Sequence, residues 1–180
     1  MKEYLLVDGY NIIHAWDELA KLAADNMPIA RQRLCDILCD YQGIVGQTII
    51  VVFDAHLVEG GIGSLEEYHN ITVVYTKEAE TADHYIEQAA SNFSKLSKND
   101  KVTVATSDRI EQIIIISHGA NRMSAGDLQS AVQSAKEELH ERFLSSPPAK
   151  SNQLFALLDA DTARKLDAMR YEKKRKKRRK

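Results

Sequence analysis

Three aspartates stand where chemistry could be done. Asp8 ends the run Tyr4-Leu5-Leu6-Val7, Asp54 ends Thr48-Ile49-Ile50-Val51-Val52-Phe53, and Asp108 follows Val102-Thr103-Val104-Ala105-Thr106-Ser107. If these runs are parallel strands of one open α/β sheet, their carboxyl ends face a single crevice, and the acids converge however far apart they lie in the chain. Converged carboxylates repel one another and shift their own pKa values, so a hard divalent ion, Mg²⁺ or Mn²⁺, is the simplest physical reason to gather them. A fourth acid, Asp83, falls in the first turn of a helix that Thr81 would cap. Asn11 stands three residues after Asp8, beyond a glycine where the backbone can pass close to a ligand, and its amide can orient a water or a phosphate beside the carboxylate. Each acid alone has an ordinary role in a turn or a helix start. Their shared placement at strand-to-helix edges is what points to a site.

The elements that must position these acids can be read from the alternation of apolar runs. Strands are expected at Tyr4–Asp8, Thr48–Phe53, Ile71–Tyr75 and Lys101–Ala105, with a short fifth at Ala120–Met123. Helical periodicity lies between them: Leu34, Ile37, Leu38 and Tyr41 share a face over about residues 29–41, with Gly43 as the expected stop. Ala82, Ile86, Ala89, Ala90 and Phe93 form the stripe of a second helix, and a third is expected to follow Thr106 or Ser107 to about Ser117, although Ile113 to Ile116 would also suit a strand. From Ser124, Leu128, Val132, Ala135 and Leu139 face inward along a helix that ends before Pro147-Pro148. The glycine-rich stretch from Val58 to Ser64 reads as a loop near the crevice. This order predicts a three-layer α/β fold with a mainly parallel central sheet flanked by helices. The expected divisions are a body of residues 1–148, a helical appendage over 149–172 and a basic tail over 173–180.

The tail is Lys173-Lys174-Arg175-Lys176-Lys177-Arg178-Arg179-Lys180. Without it the chain has 16 Lys and Arg against 26 Asp and Glu, so the formal net charge of −2 hides a body near −10. So acidic a body repels nucleic acid over much of its surface, and the tail, a metal ion or local cations must bring such a partner in. Lys77, before the Asp83 helix, and Arg109, beside Asp108, are the local candidates for holding phosphate. No run approaches the roughly 18 apolar residues of a membrane span, and the N-terminus lacks the layout of a secretory signal, so cytoplasm is the expected compartment. Cys35 and Cys39, four apart, match neither a redox nor a zinc spacing and are expected to be ordinary reduced, buried thiols.

Asp8-Gly9-Tyr10-Asn11, then Thr81-Ala82-Asp83 opening a helix and Thr106-Ser107-Asp108 after a strand, resemble the ordered motifs of NYN domains, PIN-like nucleases, and of their bacterial YacP-like branch above all. The resemblance covers roughly residues 3–145. It implies a PIN-like fold and a metal-dependent endoribonuclease, with Asp8, Asp83 and Asp108 as metal carboxylates and Asn11 as a positioning residue. Asp54 falls where related nucleases sometimes place a further metal acid. Where some PIN-like enzymes have a second acid beside the helix carboxylate, this chain has His84.

The chemistry expected is in-line hydrolysis of a phosphodiester by metal-activated water, leaving a 5′-phosphate and a 3′-hydroxyl. RNA is the expected partner, messenger RNA the expected substrate, and ribosomal RNA, the most abundant cytoplasmic polyanion, extends the expectation to the ribosome. The alternative is a non-catalytic RNA- or ribosome-binding protein with a degenerate nuclease site, which predicts binding without cleavage. A haloacid-dehalogenase-type phosphatase wants a second acid where Tyr10 stands, and a dinucleotide fold wants more glycines than Gly9 at the first turn.

Overall fold

The computed structural model describes residues 2–54, 62–77, 81–96, 100–108, 112, 115–116 and 119–145. Contacts divide the chain into Met1–His140 and Glu141–Lys180. Of the second unit only the end of one helix falls among the described residues, and the boundaries expected at 148 and 172 lie outside them.

In chain order the elements are β1 (Glu3–Asp8), α1 (Gly9–Ala15), α2 (Asp17–Asp25), α3 (Met27–Val45), β2 (Thr48–Phe53), β3 (Ile62–Tyr68), β4 (Ile71–Lys77), α4 (Ala82–Leu96), β5 (Lys101–Thr106), β6 (Asn121–Ser124) and α5 (Ala125–Ser145). The strands form one sheet in the order β3-β4-β2-β1-β5-β6, parallel throughout except for the β3–β4 hairpin. This is the mainly parallel α/β fold that the alternation predicts.

β1 and β2 read as almost unbroken apolar runs because both of their faces are covered. Leu5 and Val7 point into a layer with Ile12, Leu34, Leu38 and Leu128, contributed by α1, α3 and α5. Leu6 points the other way, joining Val52, Val104, Ala82, Ile86 and Ala90 under α4. Ala82, Ile86 and Ala90 are buried as the stripe predicts, while the side chain of Phe93 lies outside the described set. Local chemistry sets the helix starts. Asn26 caps α3 by accepting from the Ile29 N–H, and Ser124 and Asp127 cap α5 by accepting from each other's backbone N–H at 3.1 Å.

Several expectations need correction. Gly43 lies inside α3, which runs on to Val45 and stops at Gly46, whose φ of 74° is the left-handed turn that ends helices. The helices α1 and α2 fill the stretch before α3, where no helix is expected from the apolar pattern. Ile62–Ser64, read as loop, opens the edge strand β3. Pairing with β4 orders that strand, since Leu65 is 67% exposed and its neighbours are polar. Leu139, expected to face inward, is 39% exposed on α5. Cys35 is buried, with its thiol pushed up to about 12 chiefly by desolvation, and Cys39 is half-buried. Both thiols are free, and Cys39 is less buried than the expectation of two buried thiols.

Candidate active site

β1 occupies the middle of the sheet between β2 and β5, with Val7 level with Val51 on one side and Ala105 on the other. The exits of all three strands therefore lie along one edge. Asp8 ends β1, Asp54 follows β2 and Asp108 comes two residues after β5. Asp83 reaches the same edge from the first turn of α4, which packs across β5, β1 and β2. The convergence predicted from strand ends thus holds at the level of the edge.

At the level of side chains the grouping is tighter for some residues than others. Asp8 is only 3% exposed. Its Oδ1 accepts from the Asn11 N–H at 3.0 Å, which caps α1, and its Oδ2 accepts from the Asn11 amide Nδ2 at 2.6 Å. Burial pushes the Asp8 carboxyl up to about 6; the two Asn11 bonds oppose that, while the charge of Asp83 and a hydrogen bond shared with it add to it. Asp8 and Asp83 are thus a close carboxyl pair. Ser107, after β5, donates its hydroxyl to Asn11 Oδ1 at 2.8 Å, which ties the exits of β1 and β5 together. Asp83 is exposed, whereas Asp54 and Asp108 are half-buried. Among the described residues no three His, Cys, Asp or Glu side chains gather closely enough to form a complete protein cage for a metal ion.

A full cage is not what Mg²⁺ requires. Mg²⁺ commonly takes one or two protein carboxylates and completes an oxygen shell with water and substrate phosphate. The Asp8–Asp83 pair, with oxygen donors and no thiolate, has the chemistry to hold such an ion, and a cation there would stabilise the ionised Asp8 that burial, and to a lesser degree Asp83, disfavours. The neighbouring His84 is turned to its own helix. Its N–H is 3.3 Å from Thr81 Oγ1 and its ring Nε2 is 2.8 Å from Gln88 Nε2, so it is engaged along α4. Lys77 is exposed at the carboxyl end of β4, two strands and roughly 10 Å from β1. Arg109 and the tail from Lys173 to Lys180 lie outside the described residues.

Sequence reasoning misses most supports of this edge and gives Gly9 another reason, since what its backbone approaches closely is the Phe53 ring. Gly9 is required sterically, because a Cβ there would sit 2.2 Å from Phe53 Cε1. Phe53 in turn meets Tyr10 edge-on at 5.2 Å and stacks with Tyr75 at 5.7 Å. Arg31 of α3 donates to the Tyr10 hydroxyl at 2.9 Å. Beside Asp108, the buried Gln112 donates from its side chain to the Thr106 carbonyl at 2.8 Å and accepts from Arg122 at 3.0 Å. Tyr10 stands within the motif and could have been singled out, but nothing in the chain pairs Arg31 with it or Gln112 with Thr106.

A family model described as the YacP-like NYN domain matches residues 5–171. YacP of Bacillus subtilis (strain 168) is 41% identical over 140 residues, covering 78% of this chain and 81% of that protein. A crystal structure of Rae1 (YacP) from Bacillus subtilis superposes with a TM-score of 0.69 at 36% identity, over 93% of this chain and 94% of that one. A substituted form of the same protein gives the same TM-score and identity over 94% and 99%. With a family model matched over most of its length, a relative 41% identical and a sheet that superposes on a solved YacP structure, the chain belongs to the YacP-like NYN domain family, within the PIN-like nuclease superfamily.

Proposed function

We propose that this protein is a divalent-metal-dependent endoribonuclease that hydrolyses RNA phosphodiester bonds. The observation that carries the reading is the state of Asp8. A carboxyl raised from an ordinary 3.8 to about 6 costs the folded protein about 3 kcal/mol at neutral pH, at about 1.4 kcal/mol per pH unit. Asparagine in its place would still accept the Asn11 N–H and cap α1 without a buried charge, giving up only the bond from Asn11 Nδ2. A charge held at that cost, with a second carboxylate beside it, is suited to a cation.

Asp8 and Asp83 are the residues proposed to hold Mg²⁺ or Mn²⁺, with Asp108 and Asp54 supplying further oxygens from the adjacent strand exits. Such an ion, when bound, would lower the pKa of the attacking water and neutralise charge developing on the phosphate. The protein's own part is to aim. The Asn11 amide grips Asp8 Oδ2, so the carboxylate keeps one direction. The exposure of Asp83 leaves the pair open on one side, as a polymeric substrate needs. Lys77 and Arg109 are proposed to bind flanking phosphates. The cations from Lys173 to Lys180 are proposed to recruit RNA, with messenger RNA as substrate and the ribosome as the setting, in the cytoplasm. No described helix is long and apolar enough to cross a membrane.

One observation favours the second reading, a non-catalytic RNA- or ribosome-binding protein. Asp108 and Asp54 do not complete a three-carboxylate cluster with the pair among the described residues. Incubating the purified protein with labelled RNA and Mn²⁺, with and without ribosomes, separates the two. The enzyme reading expects internal cuts with 5′-phosphate ends that stop in EDTA and return with Mn²⁺ or Mg²⁺. Cleavage undiminished by EDTA, or 2′,3′-cyclic phosphate ends, would overturn the metal-activated water. Binding with no cuts in any condition would favour the second reading. Deleting residues 173–180 should flatten the dependence of log affinity on log salt by about 0.7 for each phosphate the tail neutralises, with little change in rate at saturating RNA.

A further inference from the structure

We propose that Ser107 is the positioning residue of this site, acting on Asp8 through Asn11. The inference rests on reading Asp8 as the site's carboxylate, and it assigns a role to a side chain otherwise taken as part of a helix start.

An asparagine side chain turns about its last bond over a broad range, so one hydrogen bond leaves its amide free to swing. Asn11 has two bonds in opposite directions. Its Nδ2 donates to Asp8 Oδ2 at 2.6 Å, and its Oδ1 lies 2.8 Å from Ser107 Oγ. An amide oxygen only accepts, so the Ser107 hydroxyl must donate. The same hydroxyl is 3.5 Å from the Asn11 carbonyl oxygen, which places it against both ends of that residue. The chain of bonds Ser107 to Asn11 to Asp8 therefore spans the exits of two adjacent strands and ends on the carboxyl that carries the buried charge.

A hydroxyl can hold a partner only if it is itself held. The Ser107 turn is braced from behind: the Asp108 N–H donates to Thr106 Oγ1 at 3.1 Å, the Gln112 side chain donates to the Thr106 carbonyl at 2.8 Å, and the Gln112 N–H donates to the Asp108 carbonyl at 3.1 Å. Thr106 is fully buried and Gln112 nearly so, and Arg122 of β6 fixes the far end of Gln112. Ser107 itself is exposed and contributes little to packing. A braced turn that presents an exposed hydroxyl to a single amide fits positioning better than stabilisation.

The test uses the full chain and two substitutions, Ser107→Ala and Ser107→Thr, read in two ways. In the first, the side-chain NH₂ resonances of Asn11 are followed by NMR in ¹⁵N-labelled protein without RNA. Ser107→Ala should shift them and speed their exchange with water, and Ser107→Thr, which keeps the hydroxyl, should restore them. In the second, cleavage of RNA in Mn²⁺ should show kcat reduced about threefold to tenfold in Ser107→Ala, the worth of one hydrogen bond, with KM within about twofold, and recovery in Ser107→Thr. Unchanged Asn11 signals in Ser107→Ala would overturn the proposal. So would a loss carried by KM, which would make Ser107 an RNA contact, or a Thr variant that behaves like the Ala variant in both readouts. If the unsubstituted protein cleaves no RNA, the nuclease reading fails and the Asn11 resonances alone decide whether Ser107 positions the amide.

Discussion

The exits of β1 and β5, hydrogen-bonded neighbours in the sheet, both carry an aspartate and treat it differently. At the β1 exit Asp8 is almost wholly buried, caps a helix with one oxygen, is gripped by an amide at the other and faces a second carboxyl. At the β5 exit Asp108 is half-buried, and the polar groups around it, Thr106 and Gln112, brace the backbone of the turn. Position at a strand end is shared; loss of solvent is not. Fold topology brings acids to an edge, while the number of sides closed to water decides which of them carries an electrostatic load.

Removing the charges one at a time should have the largest effect. Asp8→Asn and Asp83→Asn should each cut single-turnover cleavage by about a thousandfold or more, since a lost metal ligand costs several kcal/mol of transition-state stabilisation. Asp108→Asn, measured beside them, decides how far the site extends. A loss of the same size would make the two exits one metal site, and a loss within about tenfold would leave Asp108 as an edge acid. Asp54→Asn should lose least.

Stability should tell the exits apart without any substrate. Because the Asp8 carboxyl is raised in the folded state, its contribution to stability is fully present below about pH 4 and is lost as the pH rises through about 6. In metal-free buffer, the stability of Asp8→Asn relative to the wild type should therefore rise across that window, by about 3 kcal/mol between pH 4 and pH 7 in urea denaturation, from a starting point lowered by the lost bond from Asn11 Nδ2, which an amide NH₂ cannot accept. A difference between the two that does not change with pH would show that Asp8 carries no such load. Mn²⁺ at about 100 times its Kd should stabilise the wild type by about 2.7 kcal/mol, a Tm shift of several degrees, and should leave Asp8→Asn almost unmoved.

Smaller effects probe how tightly each exit is built. Gly9→Ala places a Cβ 2.2 Å from the wholly buried Phe53 ring, so it should cost about 1 to 3 kcal/mol in urea denaturation. Across the edge, Ser107→Ala removes an exposed hydroxyl and should change stability by no more than about 0.5 kcal/mol. Equal costs at the two positions would contradict the picture of a buried exit beside an open one.

What could be read in the chain follows from which forces leave a local mark. β1, β2, β4 and β5 are covered on both faces or nearly so, which writes them as apolar runs, and the aspartates at the ends of β1, β2 and β5 are visible for the same reason. The helix α1 is only seven residues long and starts on Asp8-Gly9, so its opening looks like a turn until the Asn11 N–H is seen to close onto Asp8. The strand β3 has polar Ser64, Glu66 and Glu67 at a sheet edge and is ordered by β4, a partner the sequence does not mark. The motif order yields Asp8, Asn11, Asp83 and Asp108, but Ser107, Gln112 and Arg31 act through bonds spanning 96, 6 and 21 residues, to partners that no spacing rule names.

Asp8 serves both the helix and the candidate metal site with one carboxyl group, and this has a genetic consequence. Aspartate and asparagine codons differ by a single G-to-A change, and asparagine at position 8 would keep the cap of α1 and shed the buried charge, a larger gain than the bond from Asn11 Nδ2 that it gives up. A screen for thermal tolerance alone should therefore enrich Asn at position 8 within one mutational step, and a screen for cleavage should remove it. Deep mutational scanning under the two selections would show position 8 moving in opposite directions, a signature expected wherever one side chain serves both the fold and its chemistry.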